Sequence, residues 1–248
     1  MKHSEVAEVV QASRSAVTIF FIDDTEILPG QFLMVWAPGV GEIPISLSHL
    51  GKMKGITVKP YGKTSSSLCG LEEGDLLYYR GPYGRPFTLD SGRRLIIGGG
   101  TGLASLYSVI NGESTVISSA RSSDELLFRG KFKCRNNIEV TDDGSAGIRG
   151  FPVDALKTID PDLYSVAYVC GPEMMMYSVY NYLRNFNLNL QFSMERMMKC
   201  GIGICDSCSM GGYQLCRDGP TFFKDEIPEL VEFGKSRTTE SGRRYSMK

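Results

Sequence analysis

The sequence predicts a mixed β and α/β protein. An antiparallel β-barrel occupies residues 1–92, a doubly wound parallel α/β domain residues 93–190, a small cysteine-bearing segment residues 191–227, and a basic, mobile tail residues 228–248. Three observations carry this reading. Short apolar runs fill the first ninety residues, strands alternate with helix-like stretches from about Arg93, and four cysteines crowd into CGIGICDSCSMGGYQLC, residues 200–216. A chain of 248 residues that is 42% hydrophobic can bury a sizeable core and exceeds the usual span of one domain.

In the first half, SAVTIFFID (15–23), GQFLMVWAP (30–38), KGITVKPYG (54–62) and DLLYYRG (75–81) are bounded by Gly, Pro or Asp. Such spacing of short runs and turn signals argues for an antiparallel barrel or sandwich. The pattern changes near Ser91-Gly92. RRLIIGGG (93–100) reads as a buried strand running into glycines, TGLASLYSVIN (101–111) as the helix after it, and STVISSA (114–120) and YSVAYVCGP (164–172) as later strands. That alternation marks a parallel α/β unit. The last fifteen residues carry five basic side chains against one acidic, with little that is apolar, which is the composition of a solvated end.

Charge and cysteine usage narrow the function. With 27 basic and 28 acidic residues the chain has no electrostatic bias toward nucleic acid or an anionic membrane. No apolar run reaches membrane-spanning length, and MKHSEVAEVVQ lacks the apolar core of a secretion signal, so a cytoplasmic location is the expectation. Seven cysteines, an odd number, suit a reducing compartment with a metal site better than a disulfide framework.

Cys200, Cys205 and Cys208 have the spacing C-x4-C-x2-C, and Cys216 follows after seven more residues. The first three match the plant-type [2Fe-2S] arrangement, with a fourth thiolate arriving from farther along. Gly201 and Gly203 let backbone approach sulfide without a side-chain clash, and Ile202 and Ile204 would shield the centre from water. Four thiolates also satisfy tetrahedral zinc, although zinc sites usually begin with a tight C-x2-C pair. Both metals remain open on spacing alone.

LIIGGGTGLASL (95–106) is a glycine run between a strand and a helix, where backbone amides can hold a pyrophosphate. Leu103 occupies the third glycine position of a full G-x-G-x-x-G, so a tight turn with nothing bound is the alternative. Cys170-Gly171-Pro172 end a strand on the same carboxyl edge of the sheet, where doubly wound folds bind ligands, although Cys170 could be only a small buried side chain. In the barrel half, GEIPISLS (41–48) and YGKTSSSL (61–68) place hydroxyls and one lysine at strand ends, suitable for a phosphate or a flavin edge. Only His3 and His49 are present, neither in a setting for a catalytic triad or a metal hydrolase.

Taken in order, PGQF (29–32), PIS (44–46), GPYGRPF (81–87), GGGTG (98–102), TDDGSAGIRG (141–150), CGPEMM (170–175) and ERMMKCGIGICDSC with CRDGPTF (216–222) resemble the ferredoxin reductase superfamily. The cysteine segment resembles one branch, the electron-transfer subunits of dihydroorotate dehydrogenase. That resemblance implies an FAD-binding barrel, an NAD-binding domain and a [2Fe-2S] centre on Cys200, Cys205, Cys208 and Cys216. It places Ile43, Pro44, Ile45 and Ser46 along FAD, with Ser46 near the reactive N5. Thr57, Val58, Lys59, Gly62, Lys63, Thr64 and Ser65 would contact the rest of the cofactor. Gly99, Gly100, Thr101 and Gly102 would face the dinucleotide, with Cys170, Gly171 and Pro172 near the nicotinamide; Ser46 and Cys170 take the catalytic positions.

The chain also departs from the pattern. Ile43 stands where the family usually has an arginine that pairs with a cofactor phosphate, and Lys59 or Lys63 could compensate. The gap from Cys208 to Cys216 is shorter than is typical of the branch. Arg121 could favour the 2′-phosphate of NADP over NAD. The implied partner is an FMN-containing dehydrogenase subunit, two copies of each chain forming a heterotetramer, with electrons passing from dihydroorotate through the cluster and FAD to NAD+. Two rivals share parts of this description: a flavin subunit of a sulfide dehydrogenase or ferredoxin:NADP oxidoreductase, and a zinc-stabilised adaptor that has lost flavin.

Overall fold

The computed structural model describes residues 1–239 and 241–247. Its first half is a closed six-stranded barrel of β1 (Lys2–Ser13), β2 (Ala16–Ile22), β3 (Phe32–Ala37), β4 (Gly41–Leu50), β5 (Met53–Val58) and β6 (Leu76–Tyr83), in the order β1-β2-β5-β4-β3-β6. The antiparallel pairing of β1 with β6, Lys2 opposite Tyr79, closes it. Val6, Ile19, Phe21, Leu33, Val35, Leu47, Ile56 and Leu77 fill the interior. The helix α1 (Lys63–Cys69) connects β5 to β6.

Two barrel strands, β1 and β4, lie outside the apolar runs read from the sequence. Lys2–Ser13 buries only Val6 and Ala12, so its composition is that of a surface strand. β4 changes partner along its length: Gly41–Ser46 pair with β3, whereas Leu47–Leu50 pair with β5. Pro44, which has no N–H to donate, falls in the half that pairs on one side only. The second backbone edge of residues 43–46 is therefore free for a ligand.

The second sheet contains β7 (Arg94–Gly99), β8 (Thr115–Ala120), β9 (Asn136–Thr141), β10 (Ile148–Arg149), β11 (Val166–Cys170) and β12 (Asn189–Ser193), all parallel. The helices α2 (Gly102–Leu106), α3 (Pro152–Leu156) and α4 (Glu173–Leu183) punctuate them. The strand order β10-β9-β8-β7-β11-β12 reverses direction at β7, which lies between β8 and β11. A doubly wound sheet opens its ligand crevice at such a switch point, beyond the carboxyl ends of the strands. Here those ends are Gly99 and Cys170, and Gly98, the last residue but one of β7, sits opposite Cys170.

After β12 the chain leaves the sheet, forms the two-residue strands β13 (Ser209–Met210) and β14 (Tyr213–Gln214), and returns as β15 (Thr221–Phe223), antiparallel to β12. The expected boundary at residues 190 and 191 thus falls inside β12, and the cysteine segment is an excursion from the sheet. One apolar cluster runs from Phe32 and Met34 in the barrel through Val169 and Phe192 in the sheet to Cys208, Met210 and Cys216 in the excursion. Among the described residues no helix is long and apolar enough to cross a membrane.

The C-terminal segment, expected as a basic, mobile tail over residues 228–248, carries packed and paired residues. Leu230 and Phe233 are buried, and β16 (Ser236–Thr238) pairs with β17 (Arg244–Ser246) in a ribbon. Its anchor is electrostatic, which is why hydropathy gave no sign of it. Glu173, 1% exposed, accepts from Arg196 Nη2 at 2.9 Å, Arg237 Nε at 2.7 Å and the Gly234 N–H at 2.8 Å, while Arg244 reaches Glu232 at 2.6 Å.

Burial alone would raise the Glu173 pKa, but the bonds from Arg196 and Arg237 outweigh it and hold the carboxyl below its ordinary 4.5. A carboxylate with a lowered folded pKa contributes stability that is present above about 4.5 and is lost as pH falls through the folded value. Glu173→Ala leaves the Arg196 guanidinium, 6% exposed, without its buried partner. We expect a loss of about 3–5 kcal/mol in urea unfolding at neutral pH, with the gap from the unsubstituted protein narrowing on acidification.

Candidate functional site

Barrel and sheet meet along a cleft. Its barrel wall carries Ile43, Pro44, Ile45 and Ser46 from the free edge of β4, and Thr57, Val58, Lys59 and Ser65 from β5 and the segment after it. Its sheet wall carries Thr101, Gly102 and Cys170. These predicted residues are brought together by two independent sheets, as a flat cofactor with a long polar tail would need. Gly62, Lys63 and Thr64 do not line the cleft. The Ser65 hydroxyl accepts from the Tyr61 and Gly62 N–H groups, both at 2.9 Å, and folds the turn on itself, while Gly41 has no room for a Cβ because Thr64 Oγ1 would lie 2.8 Å from it.

A second pocket opens from the first. Gly99, Gly100, Gly171 and Pro172 line it, and Tyr61, Thr101, Gly102 and Glu195 belong to both. The predicted dinucleotide residues thus gather at the switch point of the sheet. Gly102 cannot carry a side chain, because a Cβ there would stand 2.5 Å from the Cys170 carbonyl carbon and the Gly171 nitrogen. This contact seats α2 directly on the end of β11. Arg121 is exposed beyond the end of β8 and lines neither pocket.

Burial, then the charge of Glu195, pushes the Cys170 thiol up to about 12, so it is a neutral donor at physiological pH. Glu195 itself opens into the cleft yet is hemmed in by protein. Desolvation raises its pKa, Arg237 opposes this, and Glu173 adds to it.

The cations on the cleft are Lys59 and Arg196. Arg196 is already neutralised by Glu173. Lys59 pairs with Glu125 and lies 5.8 Å from the centre of the Tyr61 ring, within reach of the cleft. Of the two lysines that could replace an arginine at position 43, Lys59 lines the cleft and Lys63 does not.

Glu195, Arg196 and Met198 enter the cleft from the start of the excursion, and Arg237, Tyr245, Ser246 and Met247 enter the second pocket from the C-terminal ribbon. Sequence reading did not single out these residues as cleft-lining. The position of Glu195 just past the carboxyl end of a parallel strand was an available signal for the first group; the ribbon residues had none.

The excursion continues from Met198 into the cysteines. Backbone N–H groups converge on their sulfurs: Ile202, Ile204 and Cys205 donate to Cys200 Sγ at 3.5, 3.4 and 3.5 Å, and Gly203 donates to Cys216 Sγ at 3.1 Å. The left-handed φ of Gly201, +72°, and of Gly203, +77°, turns these amides inward. Burial alone would raise the Cys200 thiol, but the three amide donors together pull it down to about 6. Burial and the neighbouring Cys208 push Cys216 up to about 12.

The Cys200 and Cys205 thiols influence each other, and Cys216 feels both Cys208 and Cys200, so the four side chains share one neighbourhood. Among the described residues no three ligating side chains group around a single ion position. Thiols wrapped by backbone amides on a loop turned by glycines suit an iron–sulfur centre, whose sulfurs accept such donors.

Residues 195–228 match the family model of the iron-sulfur cluster binding domain of dihydroorotate dehydrogenase B. A relative from Thermoplasma acidophilum, named as a probable dihydroorotate dehydrogenase B (NAD(+)) electron transfer subunit, is 49% identical over 244 residues, covering 98% of each chain. The chain belongs to the dihydroorotate dehydrogenase B electron transfer subunits. A relative of the same name from Pyrococcus horikoshii is 41% identical and covers 96% of this chain and 94% of its own. Among solved structures, an NADH-dependent reduced ferredoxin-NADP oxidoreductase superposes with a TM-score of 0.80 at 25% identity, covering 94% of this chain and 93% of its own. A flavohemoglobin from Malassezia yamatoensis shares the fold at a TM-score of 0.61 and 20% identity, over 73% of this chain and 55% of its own. The electron transfer subunit thus has the ferredoxin reductase architecture with an iron–sulfur cluster binding domain inserted at its sheet edge.

In metal-free, reduced protein near neutral pH, iodoacetamide should modify Cys200 and Cys205 first, since thiolate is the nucleophile and both thiols sit below their ordinary range. Cys170 and Cys216 should react last. Peptide mass mapping over time measures the order, and early labelling of Cys170 would contradict the site as described.

Proposed function

We propose that this chain passes electrons between NAD+ and a dihydroorotate-oxidising partner, with FAD in the cleft, a [2Fe-2S] cluster on Cys200, Cys205, Cys208 and Cys216, and the dinucleotide in the second pocket. The observation that carries the proposal is the continuity of the three sites: the two pockets share a wall, and Met198 in the cleft is two residues from Cys200. Flavin supplies the exchange between two-electron hydride transfer and one-electron traffic through a cluster.

Each residue has a task that its position supports. The free edge of Ile43–Ser46 offers backbone groups along the flavin ring, with the Ser46 hydroxyl toward its reactive edge. Lys59 answers the negative phosphates. Gly99, Gly100 and Gly102 would admit the dinucleotide backbone close to the strand end, and the neutral Cys170 thiol would stand near the nicotinamide without adding charge. The names of the relatives support NAD+ as acceptor.

The partner proposed is an FMN-containing dehydrogenase subunit in a heterotetramer with two copies of each chain. Being an electron transfer subunit implies a catalytic counterpart. Ile202 and Ile204 are 49% and 76% exposed beside the exposed Cys205. Side chains of this kind next to a redox centre suit a surface that a partner covers.

Anaerobically purified protein should show flavin and cluster absorbance and, mixed with the catalytic subunit, reduce NAD+ with dihydroorotate. Ile204→Asp should lower that coupled rate at least tenfold while its visible spectrum is retained; a colourless, iron-free protein would end the proposal. For the phosphate contact, Lys59→Ala should raise the FAD dissociation constant about tenfold, a change of about 1.4 kcal/mol, and Lys63→Ala should leave it unaltered. Equal affinity in both single variants and the double variant would remove the lysine compensation.

A further inference from the structure

Arg80 carries a polar contact from the barrel to the cysteine arm. Arg80 on β6 makes a two-point ion pair with Glu42 on β4, Nε to Oε1 and Nη2 to Oε2, both at 2.7 Å. Its remaining Nη1 donates to the carbonyl oxygen of Cys200 at 2.5 Å, and Nη2 also reaches the Lys199 carbonyl at 3.5 Å. The guanidinium lies 5.6 Å from the centre of the Tyr83 ring, and the two partners are 24% and 20% exposed. The peptide it holds is that of the first ligand cysteine. The next residue, Gly201, is pressed against the barrel so closely that a Cβ there would lie 2.8 Å from Met34.

We propose that Arg80 is a positioning residue that fixes the first cysteine of the cluster loop on the barrel and, balanced by Glu42, sets the reduction potential of the centre held there. Reduction adds negative charge to a cluster, so a nearby cation favours the reduced state and a nearby anion the oxidised state. A half-buried pair is screened far less than a surface one. Arg217, beside Cys216, provides the contrast: it is 61% exposed and turned onto Asp218, so water screens it. The ion pair is nearly neutral as a unit, and each half alone carries an opposite effect. The inference rests on the four cysteines holding the cluster, as proposed above.

The test is the cluster midpoint, read by low-temperature electron paramagnetic resonance during redox titration of the purified protein. Glu42→Gln, which leaves the guanidinium unbalanced, should raise the midpoint. Arg80→Met, which leaves the carboxylate, should lower it by about 59 mV, a tenfold change in a one-electron equilibrium. The double variant should return close to the unsubstituted value, and Arg217→Met should move it least. Arg80→Lys should keep most of the potential but, lacking the planar fork, should broaden the cluster spectrum. If Arg80→Met loses the cluster, the upward shift in Glu42→Gln still decides. Unchanged midpoints, or shifts of the same sign in both single variants, would overturn the inference. Absence of any cluster signal in the unsubstituted protein would instead overturn the ligand assignment and this inference with it.

Discussion

The pairing of β15 with β12 is the constraint on which the arrangement depends. Gln191 faces Phe223 and Ser193 faces Thr221, so the excursion from residue 194 to residue 220 starts and ends on neighbouring rungs of one sheet. A loop of that length, held by apolar packing alone, would leave the relation between its cysteines and the cleft loosely defined. Fixed at both ends, it lays Glu195 to Met198 along the cleft and carries the cysteines just past it. The barrel reinforces the return. Arg85 donates from Nε to the Thr221 carbonyl at 2.8 Å and from Nη1 to Glu226 at 2.9 Å. Since β15 is also an edge strand, the same contacts cover backbone that would otherwise be open to pairing.

A second layer of order is electrostatic and runs through Glu173. Its carboxylate joins the start of α4, the entrance to the cysteine arm at Arg196, and the C-terminal ribbon at Arg237. Breaking a buried ionic contact of this kind is expensive, while making it adds little net stability, so its value lies in specifying where three segments meet. All three border the second pocket or the cleft. The geometry of the second pocket therefore depends on a charge cluster that hydropathy cannot register.

That distinction explains what was legible in the sequence. Phe32–Ala37, Arg94–Gly99 and Val166–Cys170 announce themselves because they bury nearly every side chain, and the cysteine spacing because ligand chemistry fixes it. β1 was hidden by its polar composition, and β4 by a proline that is tolerated only because half the strand is an edge. β15 was hidden by being three residues long. Gly62, Lys63 and Thr64 were placed by resemblance to a motif, whereas of that turn only Tyr61 and Ser65, joined by a hydrogen bond, line the cleft. Tyr245 to Met247 reach the second pocket through contacts made almost 150 residues away from its glycine loop, a relation that no local pattern encodes.

The separation of the sites has a functional consequence. None of residues 199 to 216 lines the second pocket, while Tyr61, Thr101, Gly102 and Glu195 line both it and the cleft. A partner seated on the exposed isoleucines of the cysteine arm, as proposed, would thus leave the second pocket open. Simultaneous access matters for a protein that accepts electrons on one side and delivers them on another. If both partners competed for one surface, each transfer would wait for a dissociation. With the cleft between two non-overlapping surfaces, its position relative to the cysteine arm is set by Arg80 at the barrel and by Glu173 at the sheet.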